Sequence, residues 1–298
     1  MAKIVECIPN FSEGRDASVL QALVETASAA PGVILLDWSA DESHNRSVFT
    51  LAGDPNAVGE VAFQLCKKAA ELIDLCKHQG EHPRMGATDV IPFVPIREVD
   101  IAECIALSKQ VGERIASELG IPVFLYEASA SSPERRDLAV IRRGQFEGMF
   151  AKLKEPEWTP DYGADAPHPS AGVTAVGARQ PLIAFNINLD TDRLDIATAI
   201  AQSIRGSNGG YTNCKALGVE LAKRGIVQVS MNLTDFQQTP IYRVSEAVRF
   251  EAARWGVKIL ESEIVGLIPN QALVDCAAYY LQLADFDYGR QVLEQRFD

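Results

Sequence analysis

The chain contains no apolar run approaching the ~20 residues that a membrane-spanning helix requires. None of its six cysteines forms a Cys-x-x-Cys pair. They lie far apart in mostly apolar settings and read as reduced core residues of a cytoplasmic protein. Positive charge is short: 28 Lys and Arg stand against 40 Asp and Glu, a formal net charge of −12. Nucleic acid demands a basic face, so this balance argues against it as a partner. A small anionic ligand stays compatible, but only with a local basic patch set into the acidic whole. The amino terminus, Met1-Ala2-Lys3-Ile4-Val5-Glu6-Cys7, enters a predicted strand at once and leaves no room for a signal peptide. Histidine is scarce too, with four in 298 residues.

What is present alternates strand and helix, the mark of an α/β chain. The spacing predicts a strand over residues 4–8 and a polar turn over 10–16. A helix follows, its inner face made by Val19, Leu20, Leu23, Val24 and Ala27. Pro31-Gly32 stops it, and residues 33–36 read as a buried-type strand, followed by another over 47–51. Asp54 is placed to cap a helix with Pro55 at its first position, and apolar spacing carries that helix to the segment at His78. Residues 90–96 are apolar, but Pro92 and Pro95 make them an edge strand at best. A helix from Asp100 to Gly120 and a strand over 123–126 come next. From 154 to 179, prolines and glycines exclude a long element and mark a linker or functional loop. Beyond it the pattern predicts a strand over 182–189, a helix over 194–205 and a flexible tip over 206–210. A hairpin around Lys223-Arg224-Gly225, a helix from Thr239-Pro240 to Gly256 and a strand over 257–265 complete it. Residues 5–37 and 229–261 echo each other as strand, turn, helix and a Gly-Val-led strand ending on an acid. Two related halves or a shared βαβ grammar would both produce that echo.

The richest chemistry lies in His78-Gln79-Gly80-Glu81-His82-Pro83-Arg84-Met85-Gly86-Ala87-Thr88-Asp89. A solvated loop would account for its polarity, yet it gathers two of the four histidines with acids and an arginine, and histidine exchanges protons near neutral pH. Its first five residues match the H-x-x-E-H pattern of some zinc peptidases. That chemistry requires both histidines on one helix face, which Gly80 and Pro83 oppose, so no metal is expected. His82 is left as the candidate acid and base. A second polar cluster, Asp37-Trp38-Ser39-Ala40-Asp41-Glu42-Ser43-His44-Asn45-Arg46, begins where a strand ends, a usual place for ligands in α/β sheets. A solvated turn explains it equally well when taken alone.

These stretches resemble the glutamate formiminotransferase family, also found as the amino-terminal part of formiminotransferase-cyclodeaminase. The resemblance rests on Val5-Glu6-Cys7-Ile8-Pro9-Asn10-Phe11-Ser12-Glu13-Gly14-Arg15, on Asn45-Arg46 and on Gly80-Glu81-His82-Pro83-Arg84-Met85-Gly86-Ala87. Gly177-Ala178-Arg179, Ala184-Phe185-Asn186-Ile187-Asn188-Leu189 and Val229-Ser230-Met231-Asn232-Leu233-Thr234-Asp235-Phe236 continue it in order. No cyclodeaminase part is expected after Asp298.

The resemblance implies transfer of a formimidoyl group from N-formimidoylglutamate to tetrahydrofolate, the co-substrate, in histidine breakdown. It implies mixed sheets in two α/β subdomains, over 1–180 and 181–298, with a ligand cleft between them, and a homodimer. The family's catalytic histidine falls on His82. Its folate-binding loop falls on Gly163, Ala164, Asp165, Ala166, Pro167, His168, Pro169, Ser170, Ala171 and Gly172. Some relatives carry an acid where this chain has Ser39, so an acidic helper would be Asp37 or Asp41, or be absent. Arg46, Arg84 and Arg179 are candidates for substrate carboxylates, because the guanidinium fork suits them. Asn45 is a further supporting residue. A formyl donor, a folate-binding protein without this activity and a metal-dependent hydrolase through His78, Glu81 and His82 are the alternatives.

Overall fold

The computed structural model describes residues 2–296. The chain divides into two compact units between Arg179 and Gln180.

The first unit opens with β1 (Ile4–Cys7), β2 (Asn10–Phe11), α1 (Ala17–Ser28), β3 (Val33–Asp41), β4 (Arg46–Gly53), α2 (Pro55–Leu72) and β5 (Thr88–Arg97). Local chemistry sets these bounds. Asp16 accepts from the Ser18 and Val19 N–H groups to start α1, and Asp54 does the same for α2 ahead of Pro55. β1 lies between β4 and β5, and β3 pairs on the far side of β4. The spatial order is therefore β5-β1-β4-β3, with α1 linking β1 to β3 and α2 linking β4 to β5. This is the ferredoxin-like βαββαβ arrangement.

A parallel extension follows: α3 (Ile101–Leu119), β6 (Val123–Glu127), α4 (Leu138–Ile141), α5 (Gln145–Lys152) and β7 (Thr174–Ala178). β7 inserts between β5 and β6, giving a seven-stranded sheet among the described residues. One core, with Phe11, Phe49, Leu65, Ile91, Phe93 and Ile115, packs under the long helices. A second, with Met85, Val90, Phe124, Ile141 and Met149, fills the opposite face around β5, β6 and β7. A strand buried on both faces loses the alternation that marks a half-exposed one, and every residue from Thr88 to Val94 is buried.

Three sequence expectations change here. β5 is a central strand, not an edge. Pro92 stands opposite the break between β1 and β2, where its carbonyl accepts from the Ile8 N–H (3.2 Å). Pro95 lies beyond Phe93, the last β5 residue paired with β7, so neither proline is asked for a ladder donor on that side. β3 is longer than the predicted 33–36 and is buried only at Val33: Ile34 is 65% exposed and Trp38 43%, since β3 pairs with β4 alone. The Pro/Gly-rich stretch ends in β7, a fully buried strand whose Gly177 permits close approach, because a Cβ there would stand 2.4 Å from the Tyr126 carbonyl oxygen.

The second unit holds β8 (Ile183–Leu189), α6 (Leu194–Ile204), β9 (Cys214–Leu221), β10 (Ile226–Leu233), α7 (Ile241–Arg254) and β11 (Ile259–Val265). Their order, β11-β8-β10-β9, is the same βαββαβ arrangement again. The sequence echo thus has a topological basis: β1-α1-β3 and β10-α7-β11 are each a split βαβ with one antiparallel strand between its two strands. Ile183, Phe185, Ile187 and Leu189 face the helices. The alternate residues Asn186 and Asn188 bond Glu263 and Glu261 on the other face. α8 (Asn270–Tyr280) and α9 (Tyr288–Gln291), to which the sequence pattern assigned nothing, follow β11.

Candidate active site

His82 lies on the connection from α2 to β5, and interlocking hydrogen bonds fix that connection. α2 ends at Leu72, short of the predicted His78, and Asp74 closes the next turn by accepting from the Cys76 N–H (3.0 Å). His78 is then held by both ring nitrogens. Its Nε2–H donates to the Asn45 carbonyl (2.9 Å), and Nδ1 accepts from Arg84 Nε (3.2 Å). A carbonyl only accepts and a guanidinium only donates, so the neutral Nε2–H tautomer is fixed. Burial lowers its pKa first, with Arg84 adding to the effect. His78 and His82 do not share a helix face, so the H-x-x-E-H run lacks the geometry that gives that motif its mechanism.

Asn45, at φ +49°, joins three loops. Its Oδ1 accepts from Gly14 N (2.8 Å), its Nδ2 donates to the Gln79 carbonyl (3.0 Å), and its own carbonyl takes His78. Gly80 passes so close to His44 that a Cβ would stand 2.3 Å from the His44 carbonyl oxygen. On the far side of His82, residues 85–87 lie between two strips of chain. Ser12 donates its hydroxyl to the Gly86 carbonyl (2.7 Å), and Ala87 N donates to the Ala171 carbonyl (2.9 Å).

The imidazole of His82 is half-buried, and its Nε2 is shielded from solvent without a hydrogen-bond partner. Its pKa is pushed down to about 3, first by burial and then by Arg46, Arg142, His44 and His78. Two guanidinium groups, those of Arg46 and Arg142, therefore bear on His82. Arg46, at the head of β4, donates to Asn10 Oδ1, and its Nε is buried without a partner. Arg142, which follows α4, donates to Asp89 Oδ2 (2.5 Å), and its Nε is likewise unpartnered. The sequence reading missed Arg142, because its segment carries no motif. It also passed over His44, whose ring meets that of His82 edge-on at 6.5 Å between centroids.

The remaining candidates divide by place. Asp41 accepts from the His44 backbone N–H (2.8 Å) and stands 3.1 Å from its Nδ1, and the backbone bond chiefly holds the carboxyl below its usual range. Asp37 and Ser39 share its strand face, with Asp37 about 13 Å further along β3. Of the two acids, Asp41 is thus the one in contact with His44. Arg84 is buried and bidentate to Glu147 (2.7 and 2.9 Å), with Gln145 Oε1 at 3.2 Å. Arg179 follows the end of β7, hydrogen-bonds Tyr126 and faces Glu6, a strand length from the residues that follow His82.

The stretch 163–172 is exposed from Gly163 to Ala166 and buried at Pro167, Ala171 and Gly172. His168 and Gly172 exchange backbone hydrogen bonds (2.9 and 3.0 Å), and the His168 Nδ1 accepts from Ala171 N (3.0 Å). Leu75 N donates to the Ser170 carbonyl (2.8 Å) and Cys76 Sγ to the Pro169 carbonyl (3.3 Å). Cys76 is exposed, unlike the core cysteine the sequence suggested. The second half of this stretch thus abuts both ends of the connection that carries His82.

A shielded imidazole flanked by guanidinium groups is an arrangement that acid–base chemistry on an anion can use. The chain belongs to the formiminotransferase domain family: residues 4–179 match the formiminotransferase domain, N-terminal subdomain, and residues 184–290 the formiminotransferase domain. It is 62% identical to a glutamate formimidoyltransferase of Streptococcus pyogenes serotype M1, covering 99% of this chain and 98% of that one. Identity to the glutamate formimidoyltransferase of Thermoplasma acidophilum is 47%, over 99% and 97%. With the formimidoyltransferase-cyclodeaminase of Mus musculus it is 44% over 94% of this chain, which spans 53% of that longer protein.

Proposed function

We propose that this chain is a glutamate formimidoyltransferase that moves the formimidoyl group of N-formimidoyl-L-glutamate to tetrahydrofolate. The products are 5-formimidoyltetrahydrofolate and L-glutamate. The observation that carries this reading is the 62% identity to a protein of that name along essentially the full length of both chains.

The chemistry suits the residues. Nitrogen 5 of the reduced pterin attacks the amidine carbon, giving a tetrahedral adduct. His82 takes the proton from the attacking nitrogen and returns one to the glutamate nitrogen as the C–N bond breaks. No covalent enzyme intermediate is required. Asp41 orients His44 beside His82, residues 163–172 hold the folate, and Arg46 takes a substrate carboxylate. The units 1–180 and 181–298 act together as a cytoplasmic homodimer. Free thiols support that compartment, and the dimer rests on the family resemblance.

The test is an assay with tetrahydrofolate and N-formimidoylglutamate that follows formation of the folate product. His82→Ala is expected to lower kcat by about 10²- to 10⁴-fold while folate binding is retained. A His82→Ala protein turning over within a few-fold of the parent would remove His82 from the mechanism.

A further inference from the structure

An imidazole that protonates so reluctantly is a weak base, and its surroundings show what is missing. Arg46 is half-buried with its Nε shielded from solvent, yet among the described residues no carboxylate pairs with it, and its one side-chain hydrogen bond goes to the neutral Asn10. Arg142 has a carboxylate partner in Asp89, and Asp89 also accepts from Met85 N (2.8 Å). Asp89 is thus bonded to Arg142 and not to Arg46, and each guanidinium keeps a buried, unpartnered Nε–H. An uncompensated buried charge is costly, and an incoming anion removes the cost.

Arg142 is also held in place by several independent contacts. Its backbone N–H closes α4 on the Leu138 carbonyl, and Gln145 N donates to its carbonyl (2.8 Å). Lys152 Nζ donates to the carbonyls of Val140 (2.8 Å), Ile141 (2.6 Å) and Arg143 (3.3 Å) on either side. Gly144 and Gln145 both take positive φ to turn the chain, and Phe146 N donates to the Arg84 carbonyl (2.9 Å), tying this elbow to the His82 segment.

We propose that Arg142 and Arg46 together bind one carboxylate of the glutamate-bearing donor beside His82, making the substrate's own charge part of the proton-transfer machinery. This rests on the formimidoyltransferase reading above. The groups bearing on His82 come from several elements: Arg46 from β4, His44 from the β3–β4 turn with Asp41 behind it, His78 from its own connection, and Arg142 from the elbow with Asp89 of β5 behind it. Its charged neighbours are cations, so a carboxylate seated between the two arginines offsets them and restores the basicity of His82.

The test uses the full-length protein and L-glutamate as the probe. The midpoint of the His82 ring proton signals is followed by NMR with and without saturating L-glutamate. It is expected to rise by at least one pH unit in the parent and to stay fixed in Arg142→Gln. Arg142→Gln should raise KM for N-formimidoylglutamate at least tenfold, with a smaller change in kcat and little change in KM for tetrahydrofolate. Arg142→Lys should recover part of the loss. Should Arg142→Gln fail to fold, the parent titration and Arg142→Lys decide the matter. An unmoved parent midpoint, or an unchanged donor KM in a folded Arg142 variant, overturns the proposal. If His82→Ala is inactive in that case, the formimidoyltransferase reading stands without this inference.

Discussion

At the scale of single residues, His82 ties the site to the stability of the fold. In the unfolded chain its imidazole takes a proton near the ordinary ~6.5, whereas in the folded protein the value is pushed down to about 3. Between those values the unfolded state binds more protons, so stability falls as the pH drops through the window and is unaffected above it. Urea denaturation between pH 4 and 7 should show that slope in the parent, and His82→Gln should flatten it. Equal slopes in the two proteins would mean that the imidazole is not held neutral. His82 was legible because it sits in a motif whose glycine, proline and charges fall within eight consecutive positions. Arg142 was not, because its partner Asp89 lies 53 residues away and nothing in 138–144 marks it. His44 carried no signal of its own within its polar cluster, with its side chain 51% exposed; only the fold brings its ring to that of His82.

At the scale of elements, the glycines of the motif matter as much as its histidine. Gly86 pairs with Gly172 in an isolated bridge, and a Cβ on Gly86 would lie 2.1 Å from the Val173 carbonyl oxygen. Gly172 has φ +71° and is equally confined against the Met85 carbonyl. Gly86→Ala should therefore cost about 3 kcal/mol or more, since backbone must move on both sides. The check is a chemical-denaturation midpoint, and a loss under 1 kcal/mol would show that the two strips are not in register as described. Helix starts were readable from Asp16, Asp54 and Asp100, because side-chain caps are local. Strand position was harder to read. Pro92 and Pro95 signalled an edge, but where a neighbouring strand breaks or ends is set by other parts of the chain.

At the scale of the whole molecule, a chain of charge −12 sets guanidinium groups around His82, where the proposed donor is an anion. The two fields differ in reach. Salt shortens the Debye length from about 30 Å at 0.01 M to about 8 Å at 0.15 M, and exposed charges are screened well before buried ones. Long-range repulsion of the donor should thus fade before the local attraction does. kcat/KM for N-formimidoylglutamate is expected to rise over that salt range; a steep monotonic fall would mean that the binding charges are exposed.

The strand registers carry one more consequence. Ile4 of β1 stands beside Arg97 of β5, and Ala184 of β8 beside Val265 of β11. The polypeptide therefore leaves each βαββαβ core next to the point where it entered. A module whose doorway and exit adjoin can be spliced into or ahead of a longer chain with only a short connection to close.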